Sequence, residues 1–317
     1  MIKLVSMVAL AVGLGACQTM PVDHSSMASA AEVKPAAWKA KRGPDGVHPD
    51  LNGVWKVMNT ANFNIEAHPA QSALQLRPGP YVPVPDAQVV ALGAIGAVPA
   101  GVGIVEGDGK IPYTADALAT RDANRAKAIE LDPEVKCYLP GVPRANYMDK
   151  PFQIFQSDKA VFLAYEYAGA VRNIFLTPQP PAPAQSWMGQ SYGTWDGDTF
   201  VVEVTDQYGT TWLDRSGNMK GENTKVVERW TPTSDSTMRY EAEITDPSVY
   251  TKPWKIGFNL YKASGEDAQL QQFKCVEFVE ELLYGHLRKN PLPGPALERA
   301  KREAAERAAE EAELDAQ

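Results

Sequence analysis

Two glutamates and one arginine lie in stretches where apolar and polar residues alternate, and acid–base chemistry uses these residue types. Counting back across the turn at 168–170 places Glu166 opposite Arg172, which predicts a cross-strand ion pair on an inward face. Glu277 follows Phe273 and Cys275 at a period of two, which predicts that it also points inward. Burial raises a carboxyl pKa toward neutrality. Glu277 and Glu166 are therefore the candidate catalytic residues; an ion pair that only fixes strand register is the alternative.

A second group of residues is suited to holding a ligand. Arg144 follows the stiff stretch Pro140–Gly141–Val142–Pro143, while Tyr147, Trp187 and Trp212 are expected in loops or near strand ends. With Arg172, these residues could line a barrel mouth, where a guanidinium holds an anionic group and aromatic rings hold an apolar body. Packing of these loops against the barrel is the alternative.

Serine-hydrolase and metal chemistry are poorly supported. Residues 189–193 match G-x-S-x-G around Ser191, but that motif needs a strand, a sharp turn and a helix. A hairpin signal, Asp196–Gly197, follows instead. No two of the four histidines have ligand spacing, so no metal and no cofactor is expected.

The region from 152 to 278 has the periodicity of β-strands. Apolar residues alternate with polar ones over 238–244 and again over 254–260, which is typical of half-buried antiparallel strands. About eight strands joined by short turns predict a mainly β fold, an antiparallel up-and-down barrel similar to lipocalins. A β-sandwich is the alternative.

The segments around the strands differ in composition. Thr114 can cap a helix over 115–130, and Ala296 to Leu314 predicts an exposed C-terminal helix with Glu–Arg pairs four residues apart. The predicted organisation is a signal peptide at 1–16, a tether at 17–45, one β-rich domain at 46–290 and the exposed helix at 291–317. That helix could recruit a protein partner, although a solvated helix is the simpler interpretation.

The N-terminus predicts export and lipid attachment. A short positive start precedes an apolar run too short to span a bilayer, and Leu14–Gly15–Ala16–Cys17 resembles the lipobox of bacterial lipoproteins. Acylation of Cys17 would then hold the protein at a membrane. By resemblance to enterobacterial sorting, Gln18 indicates the outer membrane, with the protein facing the periplasm. An ordinary signal peptide with a chance cysteine is the alternative.

Cysteine usage and charge limit the function further. With Cys17 lipidated, Cys137 and Cys275 remain, and an even pair in an oxidising compartment predicts one disulfide. Two buried thiols are the alternative. Loss of residues 1–16 removes one lysine and no acid, so the formal net charge falls from −8 to −9. An acidic chain lacks the electrostatic footprint of a nucleic-acid-binding protein.

Several segments between about 104 and 289 recur in order in a large family of exported bacterial proteins of uncharacterised function. The sequence is similar to that family in Cys137–Tyr–Leu–Pro–Gly–Val–Pro–Arg144, Tyr165–Glu–Tyr–Ala–Gly–Ala–Val–Arg172, Ser186–Trp–Met–Gly189 and Phe273–Lys–Cys–Val–Glu277. The resemblance implies export but no particular activity. Many relatives have a histidine near 218–225, where this chain has Gly221–Glu222–Asn223. If that histidine is catalytic, this member would bind without turnover.

Three functions therefore remain open. The first is a lipid-anchored protein that binds a small amphipathic or aromatic molecule in a β-barrel. The second is a carboxylate-dependent hydrolase, lyase or isomerase, with an arginine stabilising an anion. The third is a structural protein of the cell envelope.

Overall fold

The computed structural model describes residues 38–71, 98–265, 267–288 and 290–316, and they form a closed nine-stranded β-barrel. Strand β1 pairs with β9 and closes the sheet, so the barrel prediction is confirmed over the sandwich. The strands are β1 Gly53–Val57, β2 Phe152–Gln156, β3 Ala160–Tyr165, β4 Val171–Phe175, β5 Gln190–Asp196, β6 Thr199–Thr205, β7 Lys225–Pro232, β8 Thr237–Thr245 and β9 Trp254–Lys262.

Four α-helices flank the strands in the described part of the chain. They are α1 Ala115–Ala126 and α2 Ala128–Leu131, between β1 and β2, and α3 Val279–Tyr284 and α4 Pro295–Asp315, after β9. Thr114 caps α1 as predicted, because its side chain accepts a hydrogen bond from the backbone N–H of Ala117. The predicted C-terminal helix is also present. No helix in the described ranges combines the length and apolar character needed to cross a bilayer.

The period-two patterns form the barrel wall as predicted. On β8 and β9, alternate residues are buried and face each other across the ladder, for example Tyr240 opposite Phe258 and Ala242 opposite Ile256. The Asp196–Gly197 signal forms the expected hairpin between β5 and β6. Apolar burial on alternate positions is what fixes the register of these strands.

One pair of strands departs from the up-and-down pattern. Strands β4 and β5 are parallel, and they pair only at Ile174 with Ser191 and Phe175 with Tyr192. A parallel pair needs a long crossover, which here is residues 176–189. Positions 178, 180, 181 and 183 of this crossover are prolines. Because proline has no backbone N–H, this stretch cannot pair as a strand with β4, and a seam opens beside the first half of β4.

The turn between β3 and β4 is longer than the sequence suggested. Leu163 pairs with Arg172, the N–H of Tyr165 donates to the carbonyl of Ala170, and a 3₁₀ turn spans Tyr167–Gly169. Glu166 therefore lies outside the strand, and its predicted pairing with Arg172 is wrong. Arg172 does point inward, as predicted.

The barrel interior is filled. The inward side chains leave no space for a water molecule among Leu51, Ile154, Val161, Leu163, Ile174, Phe200 and Trp230. The prediction of a hollow at this position is wrong, since large apolar side chains from facing strands meet across the axis.

Both ends of the described chain are held by contacts with other parts of the protein. The N–H of Asp50 donates to the carbonyl of Lys41, and Arg42 pairs with Asp198 at 2.5 Å. The folded part thus begins before the predicted boundary at residue 46. At the other end, Ala300 is the buried residue of α4, and His286 lies 3.4 Å from Glu303. The predicted signal peptide, Cys17 and the part of the predicted tether up to residue 37 lie outside the described residues.

The predicted disulfide is confirmed. Cys137 is bonded to Cys275, with a Cα–Cα distance of 5.7 Å and a sequence separation of 138 residues. It fastens the segment after β9 to the long connection between β1 and β2.

Candidate ligand-binding cleft at the seam between β4 and β5

Strand direction gathers most candidate residues at one end of the barrel. Strands β1, β3, β6 and β8 all run toward this end, and β5 starts from it. The connections that follow these four strands, together with residues 186–189, therefore meet there; we call this the loop end. Arg144, Trp187 and Trp212 all belong to these segments.

A cleft of about 410 Å³ opens at the seam, where β4 and β5 diverge. Its walls are mainly apolar, and two buried polar side chains, Arg172 and Ser191, form its floor. The lining residues are Leu139, Val171, Arg172, Asn173, Phe175, Ala182, Ala184, Ser186, Trp187, Met188, Gly189, Gln190 and Ser191. A mostly apolar cavity with a few convergent polar groups is typical of small-molecule sites.

Trp187 is the main aromatic side chain of the cleft. Its ring stacks on Tyr138, with centroids 4.8 Å apart, and meets Tyr208 edge-on at 5.3 Å. Tyr138 is next to Cys137, so the disulfide holds this stack from outside the cleft. Ser186 pairs with the end of β6 through backbone bonds of 2.9 and 3.0 Å to Asp206 and Tyr208. The tryptophan is therefore held in place on both sides.

The floor of the cleft is the outer edge of a buried polar network. The Nε of Arg172 donates to Ser191 Oγ at 2.8 Å, and its Nη1 donates to Glu228 Oε1 at 3.1 Å. Its Nη2 donates to the other oxygen of Glu228. Glu228 also accepts from Asn146 at 2.7 Å and from Tyr240 at 2.8 Å. The whole network lies inside the barrel, with Arg172 2% and Glu228 0% exposed.

The positive charge of Arg172 is fully compensated by one carboxylate. Burial lowers the pKa of the guanidinium, but attraction to Glu228 outweighs burial and leaves that pKa above its ordinary value. The side chain therefore stays charged and paired. Ser191 accepts the Nε–H of Arg172, which leaves its own hydroxyl proton for another acceptor.

Arg144 lies away from the cleft, in a second buried network. Its Nη1 donates to Asp132 at 3.0 Å, its Nη2 to Glu134 at 2.6 Å, and its Nε to Asn62 at 2.9 Å. Arg215 also donates to Glu134, at 2.7 Å. Although burial raises the pKa of Glu134, Arg144 and Arg215 lower it to about 2. Since protein carboxylates occupy its guanidinium, the predicted use of Arg144 for a ligand anion has no support in this arrangement.

The other two predicted ligand residues pack against the protein. Tyr147 is 1% exposed, and its hydroxyl donates to the carbonyl of Leu213 at 2.7 Å. Trp212 is 6% exposed and pairs through an isolated bridge with Met219. Neither lines the cleft. The alternative of loop packing describes both residues, whereas Trp187 and Arg172 do line the cleft.

Neither predicted catalytic glutamate lies in the barrel. Glu277 is exposed. Residues 273–277 do not form a strand, so the alternation of apolar and polar residues there does not direct side chains to opposite faces of a sheet. Glu166 is half-buried and accepts a hydrogen bond from the backbone N–H of Gln271 at 2.8 Å. The prediction that Glu277 points inward is therefore wrong.

Glu228 and Lys220 are two of the buried charged residues that sequence reasoning missed, along with Asp132, Glu134, Asp214 and Asp246. Glu228 shares its strand face with Val226 and Trp230, so the parity of β7 could have revealed it. Lys220 gave no such signal, because it lies in a loop between strands. Its Nζ donates to the carbonyl of Val142 at 2.6 Å and to Gln207 Oε1 at 2.7 Å. Burial lowers the pKa of Lys220 to about 7.

Within the described ranges, no group of three or more His, Cys, Asp or Glu side chains could hold a metal ion. Comparison of the chain with models of protein families, with curated proteins and with solved structures found no match. The geometry of the cleft is therefore the basis on which its function has to be argued.

Proposed function

We propose that the protein binds a small amphipathic or aromatic molecule in the cleft at the β4–β5 seam. The observation that carries this proposal is a cavity of about 410 Å³ with apolar walls and a buried polar floor, beside a barrel interior that is filled. Ligand pockets generally fall between about 300 and 1,000 Å³.

The walls and the floor suit different parts of such a molecule. The ring of Trp187, held by Tyr138, can stack on a flat apolar body. The hydroxyl of Ser191 can donate a hydrogen bond to a polar group at the floor. Because Glu228 neutralises Arg172, the floor carries no uncompensated charge. We therefore expect an uncharged polar group rather than the anion suggested by the sequence.

Binding without chemistry is the better supported activity. Glu228, the acidic residue nearest the floor, is fully buried and held by hydrogen bonds from Arg172, Asn146 and Tyr240. A carboxylate whose oxygens are occupied by protein donors in this way is shielded from a ligand. A carboxylate enzyme and a structural envelope protein have no comparable observation in their favour.

We also propose that the protein works in the bacterial cell envelope, where acylated Cys17 anchors it to the outer membrane, and that it belongs with the exported family its motifs resemble. The lipobox-like residues 14–17 support the anchor. The disulfide between Cys137 and Cys275 supports an oxidising compartment.

The binding proposal is tested first by native mass spectrometry of protein lacking residues 1–17, which would show a co-purifying small molecule. Affinity is then measured with N-phenyl-1-naphthylamine, an uncharged probe that fluoresces in apolar sites. Trp187→Ala is expected to weaken probe binding at least about tenfold, equivalent to about 1.4 kcal/mol. Trp195→Ala, at the opposite end of the barrel, is the matched control. Equal affinities for both variants and the unaltered protein would contradict the proposal.

The anchor is tested by metabolic labelling with palmitate. The unaltered chain should carry label and sediment with membranes, while Cys17→Ala should lose both properties. Label that persists in Cys17→Ala would exclude lipid attachment at this residue.

A further inference from the structure

The first half of β4 has backbone groups that its neighbours leave open. In an antiparallel pair, residues alternate between those that direct both backbone groups to the partner strand and those that direct both away. The N–H of Tyr165 donates to the carbonyl of Ala170, which fixes that alternation for β3 and β4. The backbone N–H and C=O groups of Arg172 and Ile174 therefore point toward β3. Those of Val171 and Asn173 point toward the seam.

Strand β5 begins too late to cover this edge. Its pairing with β4 starts at Ile174 and Ser191, so it does not reach Val171. Both Val171 and Asn173 line the cleft. The proline-rich crossover passes on the other side and cannot supply a regular ladder of N–H groups. The cleft is thus bordered by about two residues of strand edge, with the N–H and C=O of Val171 and the N–H of Asn173 turned toward it.

We propose that the ligand of the cleft is peptide-like: an extended, uncharged segment of about three residues that pairs as an added strand with Val171 and Asn173. This inference rests on the proposed binding function and narrows its ligand class. Open backbone donors and acceptors along a groove are the feature that an extended peptide matches and that a purely apolar molecule leaves unpaired.

Charge and the alternation of side chains narrow the class of peptide that is expected to bind. The floor carries a compensated ion pair, and the chain as a whole has a formal net charge of −8, so acidic peptides are disfavoured. Side chains of an added strand alternate between the two faces of the sheet. One apolar side chain would lie against Trp187, and a neighbouring backbone or small polar group would meet the hydroxyl of Ser191.

The test compares two probes on matched variants. The peptide probe is acetyl-Ala-Phe-Ala-N-methylamide, and its depsipeptide analogue replaces the N–H of the last alanine by an ester oxygen. Asn173→Pro removes the N–H that faces the cleft and leaves the ladder to β3 intact, whereas Asn173→Ala changes the side chain alone. Binding is followed by the intrinsic tryptophan fluorescence of the purified protein, with Trp187→Phe identifying the responding residue.

We expect Asn173→Pro to weaken binding of the peptide about tenfold and Asn173→Ala to leave it within about threefold. The depsipeptide should bind the unaltered protein more weakly than the peptide, which keeps the test valid if Asn173→Pro fails to fold. The unaltered protein should bind N-phenyl-1-naphthylamine as well, and Trp195→Ala, whose residue does not line the cleft, should keep its affinity for both probes. Binding of the naphthylamine without binding of the peptide, or equal affinities for peptide and depsipeptide, would overturn this inference alone. Failure of every probe would overturn the proposed function as well.

Discussion

Two buried arginines, Arg144 and Arg172, invite comparison because they are alike in burial and different in surroundings. Their exposures are 1% and 2%, and both bind carboxylates inside the molecule. Arg144 is enclosed by Asp132 and Glu134 within the connection between β1 and β2. Arg172 reaches across the barrel to one carboxylate on β7 and also borders the cleft.

The difference shows that a buried charge is not by itself the sign of a binding site. The network of Arg144 ties Asn62, Glu134 and Arg215 together, so it joins connections that leave two different strands. It holds these connections together, and Arg144 does not line the cleft. The network of Arg172 ends at a cleft, where its last member, Ser191, keeps a hydroxyl proton to donate. The variants that follow separate these two roles.

The largest effect is expected for Arg144→Met. It takes the guanidinium partner from buried Asp132 and leaves Glu134 paired with Arg215, and loss of one partner from a buried ion pair costs about 3–5 kcal/mol. Denaturant unfolding should show this loss, while the folded protein should keep its Kd for N-phenyl-1-naphthylamine. A weaker probe affinity in Arg144→Met would mean that the two networks are not separate.

Removal of the disulfide is expected to affect both regions. Cys137→Ser with Cys275→Ser opens a loop closed over a separation of 138 residues, for which a loss of about 2–4 kcal/mol is typical. Because Tyr138 adjoins Cys137 and stacks on Trp187, quenching of tryptophan fluorescence by acrylamide should also increase. Arg144→Met is the comparison, since it should lower stability without this increase. Unchanged quenching would show that the stack holds without the disulfide.

The sequence predicted these two regions unequally well. Local patterns were enough for the strands of the barrel, the Asp196–Gly197 hairpin and the cap at Thr114, because neighbouring residues determine them. They were not enough for the ion pairs. Glu228, the partner of Arg172, is 56 residues away, whereas the shorter turn after β3 that the sequence indicates would bring the nearer Glu166 opposite Arg172.

The cleft could not be predicted from the sequence, for a different reason. The prolines of the crossover are visible in the sequence, but the parallel pairing that they accompany depends on where the chain re-enters the sheet. Trp187 was predicted as a ligand residue from its residue type and loop position, and it lies in the cleft. The same grounds predict Tyr147 and Trp212 as ligand residues, yet both are buried, since residue type alone does not distinguish a cavity wall from a core.

The pH dependence of the free energy of unfolding should also distinguish the network of Arg172 from that of Arg144, although this effect is smaller. Burial lowers the pKa of Lys220 to about 7, and Glu228 and Arg172 are the charged groups that modify this value, raising and lowering it respectively. Between pH 7 and 9 the unfolded chain binds the proton that the folded chain has released, so the free energy of unfolding should rise with pH. We expect a rise of about 1–2 kcal/mol over this range.

Lys220→Met is the variant for this prediction. It should abolish the rise, although it also removes the donor to the carbonyl of Val142 and so lowers stability at every pH. Arg144→Met, which belongs to the other network, should keep the slope. Measurements of unfolding at several pH values decide the matter, and an identical slope in Lys220→Met would assign the titration to another group.

The smallest effect is expected for Ser191→Ala, at the point where the Arg172 network meets the cleft. This change removes the acceptor of the Arg172 Nε–H, for which a loss of about 1 kcal/mol in the free energy of unfolding is typical. It also removes the donor that the cleft offers to a ligand, so affinity for the acetylated peptide should fall about threefold to tenfold. Ser236→Ala, in the exposed turn between β7 and β8, should change neither quantity.

Because Ser191 lies on a strand followed by a hairpin, Ser191→Ala should have the same background esterase activity as the unaltered protein. A fall in stability without a fall in affinity would make Ser191 a structural partner of Arg172, and the contrast between the two arginines would then rest on the cavity alone.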